Sequence, residues 1–294
     1  MELHSHVRPG TPRDAATVVI LRDGIQGLEV FLVKRHGLSD VLGGAYVFPG
    51  GKLDTSDSLL DPLAHLDQVP EHLHSALGES ETPVNTASGL FVAALREAFE
   101  EAGVLFAHHA RTAALADTAR AAQMQRDAVP FNQMLAEMEL RLQTRAVLPW
   151  SRWITPVMPS VSSKRFDTRF FVAAIPPDQV ARHDNHETTE SAWLQPRTAL
   201  EHYRDGQIEL APPQIMSLAH LARHATVHSV MSAARASPPP VIQPEPFDDA
   251  GERILCYPGD LRHSVAARAL PGPTRLRYRN GRFEPMDGFE ALFA

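Results

Sequence analysis

Between Gly89 and Ala102 the apolar residues Phe91, Ala94, Leu95, Ala98 and Ala102 recur at spacings of three and four, and Gly103 stands where a helix would have to stop. The pattern predicts an amphipathic helix. What the helix carries on its other face constrains the chain further. Glu97, Glu100 and Glu101 fall within five residues and, at 3.6 residues per turn, spread over an arc of about 100° opposite the apolar stripe. Like charges at these spacings oppose one another by roughly 0.2–0.5 kcal/mol per pair. Taken alone, such a cluster is more often a solvated helix face, with Arg96 and Glu100 as an i,i+4 pair. A divalent cation removes the same repulsion. Mg²⁺ and Mn²⁺ prefer oxygen donors, and Mg²⁺ is typically held by one or two carboxylates together with water and substrate phosphates.

The flanking segments predict what this helix packs on. Ala15 to Arg22 and Leu28 to Lys34 read as two strands of a hairpin around Asp23-Gly24-Ile25-Gln26-Gly27. Tyr46-Val47-Phe48 leads into Pro49-Gly50-Gly51, a loop in which proline ends pairing and the glycines permit unusual backbone angles. Residues 52–88, rich in Asp, Ser, Pro and His, read as an inserted surface segment. Arg111 to Thr144 reads as a second helical stretch, Trp153 to Val157 and Thr168 to Ile175 as strands, and Ala192 to Leu194 as a short strand after a polar loop. Ala199 to Tyr203 and Ile215 to Ala225 read as helices. The proline-rich run 233–246 is expected to be a linker, and 247–294 a C-terminal extension in which Arg253 to Tyr257 and Thr274 to Tyr278 pair and Asn280-Gly281 makes a hairpin turn. The reading is therefore a main domain over 1–232, a linker and an extension, of α/β class with a mixed sheet covered on both faces.

Net charge is −7 and the sequence pI about 6.1, so nothing in the overall balance suggests nucleic acid or an anionic membrane as partner. An anionic substrate would need a metal or a few placed Lys and Arg. The single cysteine, Cys256, excludes an internal disulfide and a multi-cysteine metal site, and the 15 histidines show no paired zinc-like spacing. No stretch approaches a membrane span and no signal-peptide core is visible, so a cytoplasmic address is expected.

PGGKLD at 49–54 together with REAFEEAGV at 96–104 resembles the Nudix box: glycine, five residues, glutamate, seven residues, then Arg-Glu-hydrophobic-any-Glu-Glu-any-Gly-hydrophobic. The second half fits at Arg96, Glu97, Glu100, Glu101 and Gly103, with Ala98 and Val104 at the hydrophobic places. Gly51 stands 45 positions before Arg96 where the pattern has 14, so the box is split by about 31 residues. Counting back from Arg96 for the first glutamate lands on Ser88, leaving Asp54 or Glu79 of the insertion as substitutes. A box split here, with RFDTRFFVAAIP at 165–176 downstream, resembles the branch that includes peroxisomal coenzyme A diphosphatase, over about residues 13–225.

That resemblance implies an α/β/α sandwich and a Mg²⁺- or Mn²⁺-dependent diphosphatase. It puts the metal on Glu97, Glu100 and Glu101, joined by a Gly50 or Gly51 carbonyl, with Arg96 orienting the carboxylates. The general base would be a box glutamate such as Glu97 or an acid ahead of a late strand, Glu187 or Glu190, of which Glu187 is favoured. Lys34, Arg35 and Lys52 flank the expected cleft and are candidates for the diphosphate or the 3′-phosphate of coenzyme A. Lys164, Arg165 and Arg169 around Phe166 are further candidates, with Phe166 against an adenine. The expected substrate is coenzyme A or an acyl-coenzyme A. The alternatives are another nucleoside diphosphate derivative such as ADP-ribose or a dinucleotide, and a non-catalytic module that binds a nucleotide metabolite. Nudix enzymes are often dimers, so the resemblance also implies a homodimer.

Overall fold

Strand β1 (Arg13–Gly24) is apolar along most of its length because both of its faces are covered. Ala16, Val18 and Ile20 point into one core, and Val19 and Leu21 into another. Strand β2 (Gly27–Arg35) repeats the alternation, with Phe31 and Val33 on the first side and Leu28, Val30 and Leu32 on the second. The computed structural model describes residues 10–37, 42–158, 164–184 and 188–294. It continues with β3 (Tyr46–Val47), β4 (Gly50–Lys52), β5 (Ala107–His109), β6 (Leu140–Leu142), β7 (Val147–Ile154), β8 (Phe166–Ala174), β9 (Thr188–Leu194) and β10 (Val241–Ile242). All of these except the β5–β6 pair form one sheet, in the order β10-β7-β8-β1-β2-β3, with β4 also on β1 and β9 on β2. β1 runs parallel to β8, and β10 parallel to β7, while the other neighbours are antiparallel. The sheet is mixed, as expected.

The first core lies under α1 (Thr55–Ser58), α2 (Pro62–His65), α3 (Pro70–Leu77), α4 (Val84–Ala102), α5 (Thr118–Arg126) and α6 (Phe131–Glu137). The second lies under α7 (Pro196–Arg204), α8 (Pro212–Leu221) and α9 (Val227–Ala236). This is the α/β/α sandwich.

Helix α4 begins at Val84, five residues before the periodic pattern, because Pro83 ends the preceding chain at a position a helix start tolerates. The segment 52–88 is built of short helices and the connections between them, which add Leu60, Leu66, Leu73 and Leu77 to the first core. A Cβ on Gly89 would stand 2.4 Å from Ser58 Oγ and 3.0 Å from its backbone, so glycine lets α1 sit directly on α4. The stretch Arg111–Thr144 is not one helix. Ala128 at φ 57° and Pro130 separate α5 from α6, and Leu140–Leu142 turns back to pair with Ala107–His109.

The run 233–246 departs from a linker as well. α9 extends to Ala236, β10 joins the sheet edge, and β11 (Glu245–Asp249) has already begun. The prolines at 238–240 fall in the gap, where no ladder hydrogen bond is needed. β11 then pairs with β12 (Glu252–Cys256), β13 (Arg275–Arg279) and β14 (Arg282–Pro285) in a four-stranded sheet. Arg253 pairs with Tyr278, and Asn280 and Gly281, at φ 52° and 81°, form the two-residue turn. Leu255, Tyr257, Leu276, Phe283 and Leu292 enter the same core as α8, and the Tyr203 hydroxyl donates to Phe283 O at 2.8 Å and accepts from its N–H at 2.9 Å. Cys256 is buried in β12, its thiol donating to Glu245 O. Among the described residues no helix is long and apolar enough to cross a membrane.

Candidate active site

Strand β4 is wedged between β1 and α4. Lys52, Gly51 and Gly50 pair with Ala15, Ala16 and Thr17. A Cβ on Gly50 would lie 2.7 Å from Ala16 O, and one on Gly51 would lie 2.3 Å from Glu97 Oε1. Neither glycine has a positive φ, so the expectation of unusual backbone angles is corrected: glycine is required here for space. Its absence of side chain lets the acidic face of α4 close onto backbone. Glu101, only 3% exposed, accepts the Gly50 N–H at 2.9 Å, and Glu97, 8% exposed, abuts Gly51. The acidic face is therefore pressed against β4, with Glu100 as its most open member.

Arg96 organises these acids. Its Nη1 donates to Glu97 Oε1 at 2.7 Å and Glu100 Oε2 at 2.8 Å, and its Nη2 donates to Lys52 O at 3.2 Å. Its Nε and Nη2 form a two-pronged pair with Asp57 at 2.9 and 3.0 Å. Asp57 also accepts the Asp54 N–H, and its side chain is fully buried. Burial opposes the charge of Arg96, but the hydrogen bond from Asp57 and the charges of Glu97, Asp57 and Glu100 outweigh it and hold the guanidinium charged. Burial pushes the Glu100 carboxyl up; Arg96 pulls it back, and Asp57 and Asp54 reinforce the rise.

Asp57 is the functional residue that backward counting misses. Forward from Gly51, five residues and then an acid lands on it, so the box is intact through its first acid and the insertion follows Asp57. Neither expected substitute takes that place. Asp54 lies 4.0 Å from Arg96 and pairs with Lys52 at 3.2 Å. Glu79 belongs to a separate network, pairing with Arg169 at 2.6 Å and Arg152 at 3.2 Å.

A cleft of about 780 Å³ opens beside the acids. Arg96, Glu97, Glu100, Lys52 and the two glycines line one end, Arg13, Arg35, Lys164 and Phe166 line its flanks, and Trp153 and Phe170 line its floor. The sheet register explains the floor: Trp153, Thr168, Ala15 and Lys52 are successive partners across β7, β8, β1 and β4. Arg35 lines the cleft, and its Nε is buried with no hydrogen-bond partner among the described residues.

Several expected site residues lie elsewhere. Lys34 pairs with Glu190 at 2.9 Å and is not among the cleft residues. Glu190 is within β9 and also accepts the Tyr46 hydroxyl, whose titration burial and that carboxylate push up to about 12. Arg169 is buried in ion pairs and Arg165 donates to Thr155 O and Gly10 O, and neither is among the cleft residues. Glu187 lies outside the described residues.

Among the described residues no three or more His, Cys, Asp or Glu side chains converge into a ready cage for a metal ion. The expected set of Glu97, Glu100 and Glu101 is not gathered as such, because Arg96 bridges the first two and Gly50 engages the third. The donor chemistry nevertheless fits a hard divalent ion: Glu97 and Glu100 line the cleft, and one or two carboxylates completed by water and phosphate oxygens are what Mg²⁺ typically takes.

A family model describing the NUDT19 Nudix domain matches residues 12–221. Acyl-coenzyme A diphosphatase NUDT19 of Xenopus laevis is 30% identical over 234 residues, covering 69% of this chain and 62% of that protein. The human protein of the same name is 27% identical over 238 residues, with 69% and 62% covered, so the chain spans about three fifths of the length of these relatives. Among solved structures, a NUDIX hydrolase from Alicyclobacillus acidocaldarius superposes with a TM-score of 0.61 at 25% identity, over 76% of this chain and 97% of that one. With the split box closed by Asp57 and Arg96 and the family match running through most of the chain, this protein belongs to the Nudix hydrolases, in the NUDT19-like, coenzyme A diphosphatase-like branch.

Proposed function

We propose that the protein hydrolyses the diphosphate bond of coenzyme A or an acyl-coenzyme A, releasing adenosine 3′,5′-bisphosphate and (acyl)phosphopantetheine. The observation that carries this reading is the composition of the cleft: carboxylates and a glycine backbone at one end, cations with Phe166 along its flank, and a long apolar floor. A substrate with a diphosphate, a further phosphate on an aromatic nucleoside and a neutral arm meets each of these surfaces. The names of the curated relatives point to the same substrate class.

Nudix hydrolases generally need divalent metal ions, and Mg²⁺ or Mn²⁺ would be held here by Glu97 and Glu100 at the cleft, with Glu101 joining them once the ion replaces its hydrogen bond from the Gly50 N–H. When bound, such an ion neutralises charge on the diphosphate oxygens and acidifies water. Arg96 holds Glu97 and Glu100 in one orientation, and Asp57 fixes Arg96 in turn. Lys52 and Arg35 bind phosphate oxygens, and the bare backbone at Gly50 and Gly51 allows close approach. Water adds to one phosphorus while the bridging oxygen leaves with the other, and the water's proton passes to a carboxylate, Glu97 or Glu187.

The test compares wild type with Glu100→Gln/Glu101→Gln on coenzyme A, with Mg²⁺ or Mn²⁺, by mass spectrometry. Adenosine 3′,5′-bisphosphate from wild type alone is the expected result. Hydrolysis of ADP-ribose much faster than of coenzyme A overturns the substrate assignment, and ligand binding without products from any diphosphate overturns the enzymatic reading.

A further inference from the structure

We infer that the C-terminal sheet completes a neutral arm of the cleft that takes the acyl-pantetheine side of a coenzyme A thioester, with Leu255 limiting the chain and Gln214 accepting an amide N–H. This rests on the proposed diphosphatase reading and assigns each half of the substrate to one side of the same cleft.

The register row from Lys52 to Trp153 crosses three strand spacings, about 14 Å at roughly 4.8 Å each. The acids stand at the Lys52 end. Beyond Trp153 the cleft is lined by Pro244 and Leu255, without a charged side chain. Pro244 follows β10, whose Ile242 pairs with Trp153, and Leu255 on β12 pairs with Pro246. Both lie beyond residue 221, where the family match ends. The C-terminal sheet thus builds part of the cleft.

Gln214, at the start of α8, also lines the cleft, is 6% exposed, and its Oε1 is buried with no hydrogen-bond partner among the described residues. A buried acceptor left unmet costs about 1–3 kcal/mol, and a ligand N–H among apolar groups would remove that cost. The cationic flank differs. Arg13 is the register partner of Phe166, and Lys164 is two residues before it, so positive charge and an aromatic ring coincide where a phosphorylated nucleoside would be met. A diphosphate at the acids with its nucleoside toward Phe166 leaves the other arm, amide-bearing and apolar at its end, for Gln214 and Leu255.

The experiment measures kcat/KM on free, acetyl-, octanoyl- and palmitoyl-coenzyme A, and inhibition by adenosine 3′,5′-bisphosphate and by octanoyl-phosphopantetheine. Thermal melts check that each variant is folded. Leu255→Phe is expected to lower the octanoyl-to-free ratio of kcat/KM about ten-fold or more, and Leu255→Ala to move the preferred chain longer. Gln214→Leu is expected to raise KM for every coenzyme A substrate about ten-fold and to weaken inhibition by octanoyl-phosphopantetheine more than by the bisphosphate. Lys164→Ala is expected to show the reverse order of inhibition. If wild type cleaves coenzyme A but the Leu255 variants leave the chain-length ratios unchanged and Gln214→Leu weakens both inhibitors alike, this inference falls and the diphosphatase reading stands. If wild type cleaves no coenzyme A substrate, both fall. Should Leu255→Phe fail to fold, Gln214→Leu and the inhibitor comparison decide.

Discussion

Arg96 on α4 and Arg169 on β8 each have a side chain less than a tenth exposed, and each draws an acid out of the segment 52–88 into the fold. Arg96 takes Asp57, and Arg169 takes Glu79. Around Arg169 the charges are shared between two guanidinium groups, since Arg152 also pairs with Glu79 and Asp167, while Asp14 completes the set. Around Arg96 a single guanidinium faces Asp57, Glu97 and Glu100, and the last two open to the cleft. The first network is closed on itself and fastens the insertion to the sheet. The second has carboxylate in excess beside a cavity, the state a divalent ion would neutralise.

The largest effect that separates them is removal of the arginine. Arg96→Met leaves the buried Asp57 without its counter-charge and should cost about 3–5 kcal/mol in urea unfolding without metal, whereas Arg169→Met should cost less, because Arg152 still pairs with Glu79 and Asp167. Millimolar Mg²⁺ should return part of the loss in Arg96→Met and none in Arg169→Met. Equal recovery in both would erase the distinction between the networks. The next effect is that of the ion on otherwise intact protein. At a hundred-fold excess over Kd, binding to the folded state adds about 2.7 kcal/mol, about 4–5 °C in a melt for a chain of this size. Glu97→Gln/Glu100→Gln should abolish that increment and Glu79→Gln should keep it.

These differences bear on what the sequence discloses. The strands β1 and β2, helix α4 and the triad of glutamates are legible, because burial on two faces or one imposes long apolar runs or a regular period. Helices α1 and α2 are not, since they span four residues each and show no period, while α3 falls in the stretch Leu59 to Leu77, where the helical period is only weak. Asp57 is legible only from the glycine end of the box, because the insertion breaks the register from the arginine end. The role of the C-terminal sheet cannot be read at all: Leu255 reaches the cleft through packing on the second core, a contact between residues far apart in the chain.

The two glycines refine the comparison on a smaller scale. Gly50→Ala drives a Cβ against β1 backbone, and Gly51→Ala drives one against the movable end of Glu97. Overpacking of this kind costs about 1–3 kcal/mol, and the rigid neighbour should place Gly50→Ala at the upper end. Gly51→Ala should lose less stability, yet more of its metal-induced increment in the melt, because it displaces Glu97. The reverse order would mean that β4, not the carboxylate, yields.

The smallest effect is in acid. Burial pushes the Glu79 carboxyl up, but hydrogen bonds from Arg169 and Thr82 and the charges of Arg169 and Arg152 outweigh it, so its titration lies below the ordinary range. As pH falls through that window, from about 4.3 downward, the unfolded chain takes up the proton first. The stabilisation is therefore complete above the ordinary glutamate range and is lost as pH drops toward the lowered folded value. Glu79→Gln should be less stable than wild type at neutral pH, with a shallower acid slope, and the two unfolding curves should converge in strong acid. Glu100 has the opposite sign: its raised titration means that in metal-free buffer stability falls as pH rises above the ordinary range. Glu100→Gln should remove that fall, so urea midpoints measured across acid and neutral pH would bend in opposite directions for the two variants if one network is closed and the other awaits a cation.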